Sequence, residues 1–337
     1  MKKTYILAIY TLVLLCGCAK VKSEGVNDAD KRYLDAWLQV NHPDWVSKKV
    51  SPGYYVIEDI PGTGEQISIP AVTPYIRTHF RMTDLYGNIL SSTYIEDAYK
   101  TRSYIKSAYY GPSVMARAEN AMYAGLDCAV ENMRVGGRRK VLIPGWLMTQ
   151  SRYDTEQDYI DNISGTTAIY ELEITDRISD IAKWEQDSLS SYVSRNFPSA
   201  VYDTTGFFRK VITPPAGGLK FDKDTTIYVN YIGRRLDGVV FDTNIADTAK
   251  FHEIYSAAST YAPVQINLKK TYTETTMTSS ESSVIPGFKY LLSKMGPYEK
   301  AVGIFTSDMG YLGNGSGLSI PSYSPLRFDI EIVDKPE

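Results

Sequence analysis

The feature that most limits the fold is that the chain repeats itself once, over a long distance. Phe80 and Leu90 match Tyr231 and Phe241 at an offset of 151 residues. Gly125 and Met133 match Gly287 and Met295 at 162, and Tyr170 matches Phe328 at 158. The offset grows by eleven between Leu90 and Gly125, so the second copy carries extra residues in one loop region. Solenoid repeats run to roughly 20–50 residues, so this period means two tandem domains instead. A chain of 337 residues is long enough to give each its own core.

Both copies follow one plan. Each opens on an amphipathic helix: Lys31-Arg32-Tyr33-Leu34-Asp35-Ala36-Trp37-Leu38, ending near Pro43, and Ile181-Ala182-Lys183-Trp184 through Tyr192-Val193, ending near Pro198. Proline disfavours the helical conformation in the residue before it. A glycine and a strand follow each helix, Gly53 with Tyr54-Tyr55-Val56-Ile57 and Gly206 with Phe207-Phe208-Arg209-Lys210-Val211. Turns come next, at Pro61-Gly62-Thr63-Gly64 and Pro214-Pro215-Ala216-Gly217-Gly218. Alternation marks a half-buried last strand in each copy: Ala168, Tyr170, Leu172 and Ile174, then Leu326, Phe328, Ile330 and Ile332. A short helix lies before it, its apolar face made by Met122, Leu126, Ala129, Val130 and Met133 or by Phe288, Leu291, Leu292 and Met295. One-faced helices among alternating strands predict an α+β fold. We expect two tandem α+β domains, each with a short helix packed against an antiparallel sheet and each preceded by an amphipathic helix.

The N-terminus carries a separate message. Lys2 and Lys3 precede an apolar run from Tyr5 to Leu15. A bilayer span needs about 20 apolar residues, so this run suits a secretory leader. Leu15-Cys16-Gly17-Cys18 resembles the lipobox of bacterial lipoproteins, which implies lipidation of Cys18 and anchoring through its acyl chains. The expected layout is a leader at 1–17, a tether at 18–29, a first domain at 30–178, a linker helix at 179–198 and a second domain at 199–337. The expected place is the bacterial cell envelope, on the outer membrane facing the periplasm. Cys128 is then the one unmodified thiol, so no internal disulfide forms, and it reads as a buried, inert side chain.

Composition removes several functions. A net charge of -3 leaves no electrostatic footprint for nucleic acid. His42, His79 and His252 are far apart, in no ligand spacing, so neither a metal site nor a catalytic triad is expected. The 27 tyrosines favour strands over long helices.

The second copy holds the chemistry. Val229-Asn230-Tyr231-Ile232-Gly233 is followed by Asp237-Gly238-Val239-Val240-Phe241-Asp242. Val284-Ile285-Pro286-Gly287-Phe288 opens the short helix, and Gly310-Tyr311 and Leu326-Arg327-Phe328 complete the series. In this order the residues from roughly Thr226 to Val333 resemble the FKBP-type peptidyl-prolyl isomerases. The resemblance implies that each copy is a bent antiparallel sheet wrapped on its short helix, with an apolar aromatic cup for a proline ring in the second. It puts Asp242, Tyr311 and Phe328 in the catalytic set. Tyr231, Phe241, Val264, Val284, Ile285, Phe288 and Ile320 would bind substrate. Tyr311 would donate its hydroxyl to the substrate, and the Ile285 N–H would bind the substrate carbonyl. Phe288 stands where the family usually has Trp, and Val264 where it often has Phe. No cofactor or metal is implied. The implied partners are proline-containing exported polypeptides, with the membrane met only through the lipid anchor.

Those residue types suit the reaction. Twisting a peptide bond costs about 18–20 kcal/mol in lost resonance, and X-Pro exchange takes tens of seconds or longer. No bond breaks, so neither nucleophile nor metal is required. Water stabilises the planar amide more than the twisted one, so a dry cup favours twisting. Removing about 4 kcal/mol from the barrier gives about a thousandfold. Taken singly, each aromatic also reads as plain core, Asp242 beside Thr243-Asn244 as a turn acid, and Tyr311 as a loop tyrosine.

The first copy departs from the pattern. It keeps Phe80 and Tyr170, but Leu90-Ser91 replaces Phe-Asp and Leu126 follows Gly125 where the floor aromatic belongs. Met133 to Pro144 resembles the family strongly and supports the same fold. This copy is expected to bind or space, without isomerase activity, with the basic run Arg138 to Lys140 on a solvated edge or turn.

Overall fold

The computed structural model describes residues 25–162, 165–278 and 284–336. The leader and Cys18 lie outside the described residues, and no described helix is long and apolar enough to cross a membrane. The first sheet contains β1 (Lys49–Val50), β2 (Tyr54–Ile60), β3 (Tyr75–Thr83), β4 (Ile89–Ser92), β5 (Ser113–Ala116), β6 (Arg138–Ile143) and β7 (Ala168–Ile178). The second contains β8 (Val201–Thr204), β9 (Phe207–Thr213), β10 (Thr225–Arg235), β11 (Val240–Thr243), β12 (Val264–Leu268), β13 (Thr276–Met277), β14 (Lys300–Phe305) and β15 (Leu326–Val333). The helices are α1 (Asp28–Asn41), α2 (Ile95–Lys100), α3 (Ala124–Val130), α4 (Glu156–Asn162), α5 (Ile181–Asn196), α6 (Ala246–Phe251) and α7 (Pro286–Ser293).

Both sheets are antiparallel and share one strand order. The first runs β1-β2-β6-β7-β3-β4, with β5 also on β3. The second runs β13-β12-β10-β15-β14-β9-β8, with β11 also on β10. Register repeats the sequence offsets. Arg81 pairs with Ser92 and Met82 with Ser91, and a bulge follows; Ile232 pairs with Thr243 and Gly233 with Asp242, and a bulge follows there too. Val141 faces Tyr170 as Gly303 faces Phe328. The tandem α+β architecture is therefore physical, not only a pattern of letters.

The expected helices form, with shorter ends on the two inner ones. Before Met133, α3 stops because Glu131 is extended and Asn132 turns left-handed (φ 64°). Met295 likewise lies beyond α7, yet both methionines stay in the cores. Gly125 and Gly287 let each helix approach its sheet: an added Cβ would lie 2.4 Å from Ile143 or 2.5 Å from the Phe305 ring. Leu34, Trp37 and Leu38 of α1 join the first core. Leu189 and Val193 of α5 pack on Val302 and Ile304 in a separate layer. Each such burial is worth about 1.5–3 kcal/mol.

One expectation about the basic run is corrected. Arg138 to Lys140 lie in β6, which has neighbours on both sides, so they are not on an edge or turn. Their charges are matched instead: Arg138 pairs with Glu173 at 3.1 Å, Arg139 with Asp59 at 2.7 Å and Lys140 with Glu171 at 3.4 Å. Cys128, on α3, is half-buried, and burial pushes its thiol pKa up, which favours the unreactive protonated form.

Candidate functional site

Four elements of the second copy carry the cup. Tyr231 comes from β10, Phe241 and Asp242 from β11, Phe288 from α7 and Phe328 from β15. Phe328 is the hub. Its ring centroid lies 5.4 Å from Phe288 and 5.7 Å from Phe241, both edge-on, and 5.9 Å from Phe305, which is parallel to it. Tyr231 meets Phe288 edge-on at 5.6 Å. Edge-to-face pairs of this kind add about 0.5–1.5 kcal/mol each beyond area burial. Phe288 and Phe328 are 2% and 4% exposed and form the floor. Tyr231, Phe241, Val264, Val284, Ile285 and Tyr311 are half-buried around the same cluster. Ile285 is the N-cap of α7, with Pro286 at the first helical position, where its missing N–H costs nothing. Ile320 joins the same cluster and is 4% exposed, as Phe328 is.

The rim is polar at one point. Tyr231 Oη donates to Asp242 Oδ2 at 2.9 Å. Burial pushes the Asp242 carboxyl above its ordinary range, and the bonds from Tyr231 and the Thr243 amide pull it back in part. Asp242 as a residue is exposed, so solvent screens that push. Burial foremost, then the Asp242 charge, raises both the Tyr231 and the Tyr311 phenols. Both hydroxyls therefore keep their protons at neutral pH and remain donors.

Sequence reasoning missed the residues that hold this arrangement. Asn244 is buried; its Oδ1 accepts the Tyr231 amide at 2.8 Å, and its Nδ2 donates to the Val229 and Ala262 carbonyls at 2.8 and 2.9 Å. Thr243 Oγ1 donates to the Tyr231 carbonyl at 2.6 Å. Both look like turn residues in the sequence, and only the fold shows that they clamp a cup wall. Thr93 serves the first copy likewise, accepting from the Phe80 amide at 2.9 Å. Phe305, stacked behind Phe328, was also unassigned. Gly233 has no Cβ because one would lie 2.8 Å from Phe241 and 3.1 Å from Phe328.

The first copy builds no such cluster. Phe80 and Tyr170 make a single tilted pair at 6.4 Å. Leu90 and Ser91 are exposed. Met122 and Tyr123 occupy the places of Val284 and Ile285, and the loop after β6 is tied onto them. Ala124 N donates to Thr149 O at 2.7 Å and Arg152 Nη2 to Met122 O at 3.0 Å.

Recesses also lie elsewhere. One of about 440 Å³ is bounded on the first sheet by Arg81, Tyr94, Arg138, Lys140, Glu171 and Glu173. Its ions already pair with one another, Arg81 with Asp97 and Glu171 at 2.6 and 2.8 Å. This recess is therefore a network of paired charges and not an open ligand site. Among the described residues, no group of three or more His, Cys, Asp or Glu side chains is placed to hold a metal ion.

Residues 218–333 match the model of a family described as FKBP-type peptidyl-prolyl cis-trans isomerase. Comparison with curated proteins finds no match. Among solved structures, the chain is similar to a peptidyl-prolyl cis-trans isomerase from Pseudomonas syringae pv. tomato. Identity there is 22%, over 45% of this chain and 94% of that one, with a TM-score of 0.32. FkpA from Escherichia coli is also 22% identical, over 45% of this chain and 60% of that one, with a TM-score of 0.32. The three FKBP domains of wheat FKBP73 are 12% identical, over 83% and 93% respectively, with a TM-score of 0.30. At TM-scores this low, superposition says nothing about function. The family match stands on its own residues, and the stretch that carries the aromatic cup is the one that matches the FKBP-type peptidyl-prolyl cis-trans isomerase family.

Proposed function

We propose that this protein is a prolyl isomerase of the bacterial cell envelope, held by lipid on Cys18, that acts on proline-containing exported polypeptides through the cup of its second copy. The observation that carries this reading is the Asp242–Tyr231 hydrogen bond at the rim of a nearly solvent-free floor of Phe288 and Phe328. A proline ring seated on that floor loses water from its imide bond. The planar amide then loses the solvation that favoured it, and the barrier to rotation falls. Tyr311 Oη, which keeps its proton, donates to a carbonyl flanking the proline. Asp242 fixes the Tyr231 ring and interacts with the twisted amide, without proton transfer. The first copy, with its pocket acid absent and its helix entrance tied down by Thr149 and Arg152, binds or spaces and does not isomerise.

The test is the isomerisation rate of a Leu-Pro tetrapeptide with the full chain. The expected result is catalysis that drops about tenfold in kcat/KM for Asp242→Ala combined with Tyr311→Phe, the loss of about 1.4 kcal/mol of barrier lowering. A wild-type rate equal to the uncatalysed one removes the enzymatic claim. Peptide binding without rate enhancement would leave the alternative, a peptide-binding lipoprotein that kept the fold and lost the chemistry. The observation favouring that alternative is Phe288, a smaller floor ring than Trp.

A further inference from the structure

The last residue of β10, where the chain turns toward β11, is a buried cation that the cup does not use. Arg235 is 4% exposed, which is rare for arginine unless it is paired. Its guanidinium leaves its own copy. Nη1 donates to the carbonyl of Ser107 in the first copy at 2.8 Å and to that of Ser319 in the second at 2.6 Å. Nε and Nη2 donate to Asp237 at 3.1 and 3.0 Å, and the guanidinium lies 5.3 Å from the centre of the Tyr109 ring. The Tyr109 amide donates to the Leu318 carbonyl at 2.8 Å. At the matching turn of the first copy stands Asp84, which closes the turn locally by accepting from the Tyr86 and Asn88 amides, both at 2.9 Å. One turn folds on itself; the other reaches across.

What it reaches is the loop that carries Tyr311 and Ile320. Inside that loop, Ser316 and Ile320 exchange backbone bonds at 2.8 and 3.1 Å, and Tyr323 N donates to Leu312 O at 2.9 Å. From outside, the first copy holds Leu318 through Tyr109 and places Tyr75 edge-on to Tyr323 at 5.3 Å. Ordering a loop costs conformational entropy, and a brace that meets this cost before ligand arrives strengthens binding.

We propose that Arg235 is a positioning residue that makes the first copy a brace for the peptide-binding loop of the second; this rests on the cup being a proline-peptide site. The experiment uses the full chain and its Arg235→Ala, Arg235→Lys and Tyr109→Ala variants. It reads backbone hydrogen exchange over residues 316–323 beside the kinetics of a Leu-Pro tetrapeptide. In Arg235→Ala, exchange in that segment is expected to rise about tenfold, as for loss of charged hydrogen bonds, while β10 and β15 stay protected. KM rises about fivefold with kcat within about twofold, the signature of lost binding order. Tyr109→Ala, which keeps the Arg235 donors, shows the same pattern at about a third of the size, and Arg235→Lys recovers part of KM. Unchanged exchange and KM in both alanine variants overturn the proposal, as does acceleration spread equally over β10 and β15. Should the wild type lack isomerase activity, the exchange data still decide the brace, so failure of the cup and failure of the brace are separately visible.

Discussion

The two copies share strand order, bulge position and offsets, yet only one has a ring-lined cup. At one register position Asp242 in the second copy replaces Ser91 in the first. The most deeply buried described carboxylate of the first copy stands elsewhere, at Asp97, 1% exposed and bonded by Arg81, Ser92 and Lys100. The difference teaches that the architecture tolerates the loss of the cup. Packing of the hub aromatic on the last strand supports the fold in both copies, while the rim chemistry is an addition that one copy does without.

The largest effect that tests this is on the hubs. Phe328→Ala and Tyr170→Ala should each destabilise by about 3–5 kcal/mol, the usual range for losing a buried ring, read from urea unfolding. A small loss at Tyr170 would break the equivalence, since it would mean that the first copy no longer leans on the same position.

Acid separates the carboxylates next. Burial pushes the Asp97 pKa up, but the bonds from Arg81, Ser92 and Lys100 outweigh it and leave it below the ordinary value. Its ionised form therefore stabilises the fold; that contribution is full above the unfolded pKa of about 3.9 and is lost as pH falls through the lower folded pKa. Asp242 has the opposite sign. Its folded pKa is raised, so ionisation costs stability, and that cost is relieved as pH falls through the raised value. Denaturation midpoints followed from neutral pH downward should show Asp97→Asn losing part of the acid sensitivity. Asp242→Asn should make it slightly steeper. The same direction of change for both would contradict the pairing described for each.

The smallest effect is a transplant. Leu90→Phe with Ser91→Asp restores the family letters to exposed positions of the first copy. Stability should move by no more than about 0.5 kcal/mol, as for most surface changes, with no gain in isomerisation rate. Any gain would show that the loop tied to the Met122 carbonyl and the Ala124 amide does not close the first entrance.

The amino-acid order by itself determined the duplication, the α+β class and the alternating last strands, because periodicity and spacing express burial directly; the aromatic members of the cup were implied by the family resemblance. Tertiary structure decided the rest. That Asn244 clamps Tyr231, that Phe305 backs Phe328 and that Ile320 is buried all depend on contacts between residues far apart in the chain. The same holds for the basic run, whose charges are matched by neighbouring strands, and for Arg235, two of whose carbonyl partners, those of Ser107 and Ala108, lie 128 and 127 residues away in the other copy. A local pattern shows which face a side chain takes; only folding brings together the distant groups that satisfy it.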